Sequence, residues 1–274
     1  MPPPEKLFIY EIAGRLHPPP PLTGQDFLGC WQEGGYTYLF YSTPQKAQVQ
    51  AWLALCPEQG HYSSETVLNY ADWEAGCHLR PARVAGFYLC PVWEAPEPEP
   101  GDLLIRLDPG LAFGSGAHPT TRLCLRLLRR VWGRDRPLRV LDLGAGTGVL
   151  SLAALALGAR QAVAVEYNDL AARTASRNIR YNQREKDIFL IQGDARHFAH
   201  LPADLALANI HLDVLLDLLA IPEFLNKKSY IFSGILGTQM PRFRAALTAA
   251  SLRILETLDE NLWFAVLATN PRGR

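Results

Sequence analysis

The stretch Val140-Leu141-Asp142-Leu143-Gly144-Ala145-Gly146-Thr147-Gly148-Val149-Leu150 decides how this chain folds. An apolar run ends beside an acid, turns through three alternating glycines, and opens into the small and aliphatic residues of a helix. Glycine permits the tight turn and lets backbone approach a ligand, while a helix start presents free N–H groups. The spacing is G-x-G-x-G. A dinucleotide fingerprint, G-x-G-x-x-G, requires glycine at position 149, where this chain has Val149. The loop by itself is also compatible with a purely structural turn.

Outward from the loop, strands and helices alternate. Leu138 to Leu143 reads as a strand and Val149 to Leu157 as its helix; Ala162 to Glu166, Leu170 to Tyr181 and Ile188 to Ile191 repeat the pattern. Leu205 to Ile210 and Tyr230 to Ile235 are further apolar strands around a helix at Val214 to Leu219. Leu252 to Leu258 and Leu262 to Thr269, separated by Asp259-Glu260-Asn261, read as an antiparallel hairpin. Upstream, Pro119 to Trp132 is amphipathic, with Cys124, Leu127, Leu128 and Val131 on its apolar side. Alternation implies α/β architecture with right-handed crossovers, mostly parallel, and the last hairpin adds one reversed strand. This arrangement resembles the Rossmann-like class I methyltransferases that use S-adenosylmethionine.

Before this region the pattern differs. Lys6 to Ala13 reads as a strand, Phe27 to Tyr41 as a hairpin turning at Glu33-Gly34-Gly35, and Thr43-Pro44 as a helix start with Val49, Trp52, Leu53 and Cys56 on one side. Val84 to Val92 reads as one more strand. A small α+β domain is expected over residues 1–93, followed by a stiff proline- and glutamate-rich linker over 94–102 and the catalytic domain over 103–274.

In such sheets the ligand lies outside the carboxyl ends of the strands, and polar residues stand at those ends. Gly144, Gly146 and Gly148 follow the first strand, with Asp142 just before them. Glu166 ends the second, where a carboxylate accepts from two ribose hydroxyls or simply faces solvent. Asp194, in Gln192-Gly193-Asp194-Ala195, ends the third, placed to accept from an adenine amino group or to cap a helix. Asn209 ends the fourth, facing the point of methyl transfer, unless it is an ordinary satisfied amide.

The segment Leu107-Asp108-Pro109-Gly110-Leu111-Ala112-Phe113-Gly114-Ser115-Gly116-Ala117-His118-Pro119-Thr120-Thr121 resembles a signature of the PrmA family, the ribosomal protein L11 methyltransferases. Asp72-Trp73-Glu74, Pro91-Val92-Trp93-Glu94, Ala208-Asn209-Ile210 and Ser233-Gly234-Ile235-Leu236 with Gln239 extend the likeness over residues 70 to 240. The resemblance implies S-adenosylmethionine as cofactor, methylation of lysine side chains and of an N-terminal amine, ribosomal protein L11 as partner, and cofactor contacts by Thr121, Gly144, Glu166 and Asn209. Thr121 and Asn209 are thereby the candidate catalytic residues. The chain departs from the family at Ala145 and Thr147 in the loop, at Glu166 in place of aspartate, and at Cys77. Residues 1 to 65 match only loosely, and in the family that part selects the substrate. Two other readings remain open: a different protein-lysine methyltransferase, such as the electron-transfer-flavoprotein type, and a catalytically silent cofactor-binding adaptor.

Composition narrows the partners. The 274 residues carry 27 basic and 27 acidic side chains, so no overall field favours nucleic acid or an anionic membrane. The arginines at 122, 126, 129, 130, 134, 136 and 139 read as a solvated helix face, with an RNA-facing patch as the alternative. No apolar run reaches membrane-spanning length. Five scattered cysteines without a C-x-x-C pair point to reduced thiols, no metal site and a cytoplasmic location. A D/N-P-P-Y/F motif would mark a nucleic-acid amino methyltransferase; Asn209-Ile210-His211-Leu212 stands in its place. A monomer without sequence-specific nucleic-acid binding is the expectation.

Overall fold

The computed structural model describes residues 4–16, 24, 26–70 and 80–271. Asp72-Trp73-Glu74, Cys77 and most of the proline-rich start lie outside the described residues.

The first unit is a four-stranded antiparallel sheet in the order β2-β3-β1-β4, from β1 (Lys6–Ala13), β2 (Phe27–Glu33), β3 (Tyr36–Tyr41) and β4 (His61–Asn69). Helix α1 (Lys46–Leu55) covers one face, burying Val49 and Leu53. It starts two residues later than Thr43-Pro44 suggests, and the Gln45 N–H at its start donates to the Tyr10 hydroxyl at 2.7 Å. Strand β4 has no counterpart in the sequence reading. Its sequence, HYSSETVLN, is mostly polar, because it is an edge strand bonded only to β1 and hides little apolar surface.

The expected strand from Val84 to Val92 is a hairpin instead. Ala85 (φ 52) and Gly86 (φ 79) turn β5 (Ala82–Val84) back into β6 (Phe87–Pro91). Strand β6 then pairs in parallel with β7 (Leu103–Leu107), so sheet hydrogen bonding spans the residues read as a linker. Val84, Phe87 and Leu89 pack into the core of the second unit, not the first. By packing, β5 and β6 sit with the second unit, although they lie within residues 1–93.

The second unit is a seven-stranded sheet in the order β10-β9-β8-β11-β12-β14-β13. Its strands are β8 (Arg139–Leu143), β9 (Gln161–Glu166), β10 (Ile188–Gln192), β11 (Leu205–Asn209), β12 (Ser229–Leu236), β13 (Arg253–Glu260) and β14 (Trp263–Thr269). Pairing is parallel from β10 to β12. Strand β14 runs antiparallel to both neighbours and is the one reversed strand. Helices α2 (Pro119–Trp132), α3 (Val149–Leu157) and α4 (Asp169–Tyr181) cover one face, and α5 (Ala195–Phe198), α6 (Leu212–Leu219) and α7 (Met240–Ala249) the other. The central strands β11 and β12 are largely apolar because both faces are covered, whereas the edge strand β13 (RILETLDE) carries acids. Each fully buried leucine, such as Leu141 or Leu207, contributes about 1.5–3 kcal/mol.

The arginine-rich face of α2 is tied down by acids on β13, which the sequence reading did not foresee. Arg122 and Arg126 pair with Glu260, and Arg130 pairs with Glu256. These partners lie more than a hundred residues away and meet α2 only through sheet closure.

Candidate active site

A cavity of about 880 Å³ opens at the carboxyl ends of β8, β9, β10 and β11. Gly144, Gly146, Glu166, Asp194 and Asn209 all line it, so residues read from four separate strand ends meet in one pocket.

The glycine loop is shaped by what lies over it. A Cβ on Gly146 (φ +55) would sit 2.3 Å from the Phe113 carbonyl oxygen, and one on Gly114 would sit 2.8 Å from the Thr147 hydroxyl. Thr147 holds that covering segment: its N–H donates to Phe113 O at 3.0 Å and its hydroxyl to Gly114 O at 2.8 Å. Asn178, fully buried on α4, completes the clamp. Its amide accepts from Asp108 N–H (2.7 Å) and donates to Asp108 O (3.0 Å) and Thr147 O (2.9 Å). The segment 107–121 is therefore locked onto the loop by hydrogen bonds whose loss would strand buried polar groups.

Glu166 ends β9 with both carboxylate oxygens held by backbone. Oε2 accepts from Gly146 N–H at 2.8 Å and Oε1 from Asn168 N–H at 2.9 Å. Each oxygen retains further acceptor capacity, so the group is oriented but not exhausted. The extra methylene relative to aspartate is taken up by this fold back onto the loop. Asn168 in turn caps α4, accepting from Leu170 and Ala171 N–H. At the end of β10, Asp194 caps α5: its Oδ1 accepts from Arg196 N–H and Nε, each at 2.9 Å. Burial raises its carboxyl, yet the Arg196 hydrogen bonds outweigh this and hold it below the usual range.

Asn209 ends β11 opposite Ser233 of β12 and is half-buried. No hydrogen bond ties its side chain to another described residue. Around it stand Ile210, His211 and Gly234. A Cβ on Gly234 (φ +83) would lie 2.4 Å from Ile210 O, so glycine is required for this close approach of the two strand ends.

Three expected site residues lie behind the wall. Thr121 is 0% and Asp142 1% exposed, and neither lines the cavity; the neighbour Thr120 does. Gly148 is the left-handed cap (φ 80) that starts α3, and it too is set back. Asp142 braces that helix: its Oδ2 accepts from the Ser151 hydroxyl at 2.6 Å and Ser151 N–H at 3.1 Å. Their sequence spacing is the same whether they face ligand or core, which is why sequence did not separate them.

Burial lifts the Asp142 carboxyl to about 6, against the Ser151 hydrogen bonds and with the nearby Glu166 charge adding to the rise. The folded state then holds this proton more tightly than the unfolded chain, whose reference value is 3.8. Its contribution to stability must fall as pH rises from about 4 to 6, by on the order of 3 kcal/mol. Thermal melts of the wild type and Asp142→Asn across pH 4–8 check this. The difference should shift in favour of Asn as pH rises, and a pH-independent difference would refute it.

The sequence reading missed the aromatic part of the pocket. Phe113, His118 and Trp263 form an edge-to-face series, with ring centroids 4.9 Å and 5.0 Å apart. His118 caps α2, its Nδ1 meeting the Thr120 hydroxyl (2.9 Å) and N–H (3.3 Å). Burial, then Arg122, lowers its pKa, so the ring is neutral near pH 7. With Nδ1 accepting, the ring proton sits on Nε2, which makes His118 a donor and not a base. Trp31, Gln32 and Phe40 of the first unit also line the cavity.

The sheet order, with one reversed strand next to the edge and a glycine loop and acid at adjacent strand ends, defines the class I methyltransferase fold. Comparison with known proteins narrows this. The profile of the ribosomal protein L11 methyltransferase (PrmA) family matches residues 35–271, and the chain belongs to that family. A ribosomal protein L11 methyltransferase of Exiguobacterium sibiricum is 37% identical over 182 residues, covering 66% of this chain and 57% of the relative. One of Desulfitobacterium hafniense is 36% identical over 200 residues, covering 72% and 62%. The matches thus span less than two-thirds of those relatives' length. The crystal structure of a ribosomal protein L11 methylase from Lactobacillus delbrueckii subsp. bulgaricus superposes with a TM-score of 0.61 at 34% identity, covering 68% of this chain and 95% of that one.

Proposed function

We propose that the protein transfers methyl groups from S-adenosylmethionine to amino groups of ribosomal protein L11, on lysine side chains and on an N-terminal amine. The observation that carries this is the Glu166 carboxylate, braced by Gly146 and Asn168 N–H in the cavity that also holds Gly144 and Asn209. An oriented carboxylate at that strand end suits a ribose diol, and a cavity of about 880 Å³ suits a nucleoside-sized ligand. Gly144 and Gly146 permit close backbone approach, and Asp194 keeps Oδ2 as an acceptor for an adenine amino group. Family membership supports the same assignment. The N-terminal sheet is the candidate for substrate recognition; residues 1–93 carry eight acidic side chains against five basic ones, which suits a basic ribosomal protein.

The bound cofactor would supply an electrophilic methyl group on a sulfonium. The remaining work falls to the protein. A lysine ammonium has no lone pair, and its ordinary pKa of about 10.4 must be overcome before attack. The aromatic rings of Phe113, His118 and Trp263 lower the local polarity and so disfavour the charged amine. The Asn209 amide oxygen, unclaimed by other side chains, accepts from the amine and aims its lone pair. Alignment of this kind contributes roughly 7–11 kcal/mol in favourable cases. Since His118 presents a donor, the amine's proton leaves to solvent through the open mouth and not to this histidine.

The test is incubation of purified protein with methyl-labelled S-adenosylmethionine and recombinant L11, read by mass spectrometry. Several lysine methylations are expected, with turnover falling about 100-fold in Asn209→Ala through lost alignment. Cofactor binding with L11 left unmodified would refute the substrate. An Asn209→Ala enzyme as fast as wild type would refute the role of Asn209.

A further inference from the structure

The N-terminal sheet has two apolar faces and one described helix to cover them. Helix α1 takes the face bearing Tyr10, Ile12, Cys30 and Leu39. The opposite face, with Leu7, Ile9, Phe40 and Tyr70, closes on Leu170 in the first turn of α4. An apolar sheet face must be buried against another layer, and here the second unit provides it. The contact is close. Gly29 has φ +148, and a Cβ there would lie 2.8 Å from the Leu170 Cβ. The Phe27 ring faces the Arg173 guanidinium at 5.7 Å, and the Tyr70 hydroxyl donates to Gly110 O.

This docking sets β2 beside the ligand end of β9, because Leu170 follows Glu166 by one turn. Strand alternation does the rest. Cys30 points to α1, so Trp31 points the other way, paired across the sheet with Tyr38 of the docked face. Trp31 and Gln32 accordingly reach the cavity wall with Glu166 and Tyr167. Trp31 is 38% and Tyr167 68% exposed, so both aromatic side chains present surface to the pocket. The Gln32 amide donates to Leu16 O at 2.9 Å, which fixes its orientation while leaving its oxygen available.

We infer that the adenosine half of the cofactor is bound between the two units, with Trp31 and Gln32 of β2 supplying the wall that faces Glu166 and Tyr167. This rests on the adenosine-bearing cofactor of the preceding section and adds a binding contribution from the N-terminal sheet. Docking of the sheet on α4 and cofactor binding are then reciprocally coupled: each raises the affinity of the other by the same factor.

Calorimetric titration of the full chain with S-adenosylhomocysteine tests this, with folding of each variant checked by circular dichroism. Trp31→Ala should weaken binding about tenfold, as loss of one aromatic stacking surface does, and Trp31→Phe should recover most of it. Gly29 does not line the cavity, but Gly29→Val presses on Leu170, wedges β2 off the start of α4, and should weaken binding similarly. The double variant should be no weaker than the worse single, since both remove one wall. If Trp31→Ala binds within twofold of wild type while Glu166→Ala loses affinity, the inference fails and the cofactor assignment stands; this arm remains decisive if Gly29→Val does not fold. A wild-type protein that binds no S-adenosylhomocysteine overturns both.

Discussion

Gly146→Ala is expected to abolish useful cofactor binding, with affinity falling at least about 100-fold, or roughly 2.7 kcal/mol. Two costs combine. Position 146 has φ +55, where an L side chain costs about 1–2 kcal/mol. The added Cβ would also meet Phe113 O at 2.3 Å, and that oxygen is backbone, held by the Thr147 N–H. Relief requires moving the 113–114 segment off the loop or displacing the Gly146 N–H from Glu166. Either change dismantles the Glu166 end of the pocket, proposed above to hold the ribose. Gly158→Ala is the control. It imposes positive-φ strain (φ +110) at the end of α3 with no atom within 4 Å of the new Cβ. It should cost about 1–2 kcal/mol of stability and leave S-adenosylhomocysteine binding intact. Equal binding by the two variants would show that the contact between segment 107–121 and the loop does not matter.

Glu166 carries the second large effect, and its amide variant is the more informative. Both carboxylate oxygens accept from backbone N–H groups, so Glu166→Gln can satisfy only one of them. The other N–H would face an amide NH2, donor against donor. Charge-assisted hydrogen bonds of this kind are worth about 1.5–3 kcal/mol each. Glu166→Gln should therefore lose cofactor affinity nearly as far as Glu166→Ala, about 100-fold. Glu166→Asp, one methylene shorter, keeps the charge but cannot brace Gly146 and Asn168 in the same way, and should fall between. Titration calorimetry of the three variants reads this directly. Near-wild-type affinity in Glu166→Gln would mean that the carboxylate is not the group that orients the loop and the ribose.

Much of the cavity lining was legible because the residues concerned stand at strand ends. Gly144, Gly146, Glu166, Asp194 and Asn209 each follow an apolar run that reads as a strand, and parallel pairing brings consecutive strand ends to one edge. Depth behind that edge was not legible. Asp142 and Thr121 stand within a few residues of the cavity, yet one braces Ser151 and the other is sealed inside α2's packing. A sequence records distance along the chain, and a buried acid at a strand end looks the same as an exposed one. Strand β4 escaped because a polar edge strand lacks an apolar alternation, and the hairpin at Ala85-Gly86 because β5 is only three residues long and Val84 runs on into the apolar β6.

The sequence by itself determined the strand–loop–helix unit around Gly144, the alternation that forces a parallel sheet, the reversed strand of the terminal hairpin, and the family. These follow from periodicity and from glycine spacing, which act over a few residues. Only the tertiary structure decided who completes the pocket. His118 and Trp263 meet because β14 inserts beside β12, and Trp31 arrives because the uncovered face of the N-terminal sheet had to bury itself on Leu170. Those contacts arise from the requirement that every apolar face find a partner, a condition met in three dimensions and written at no single place along the chain.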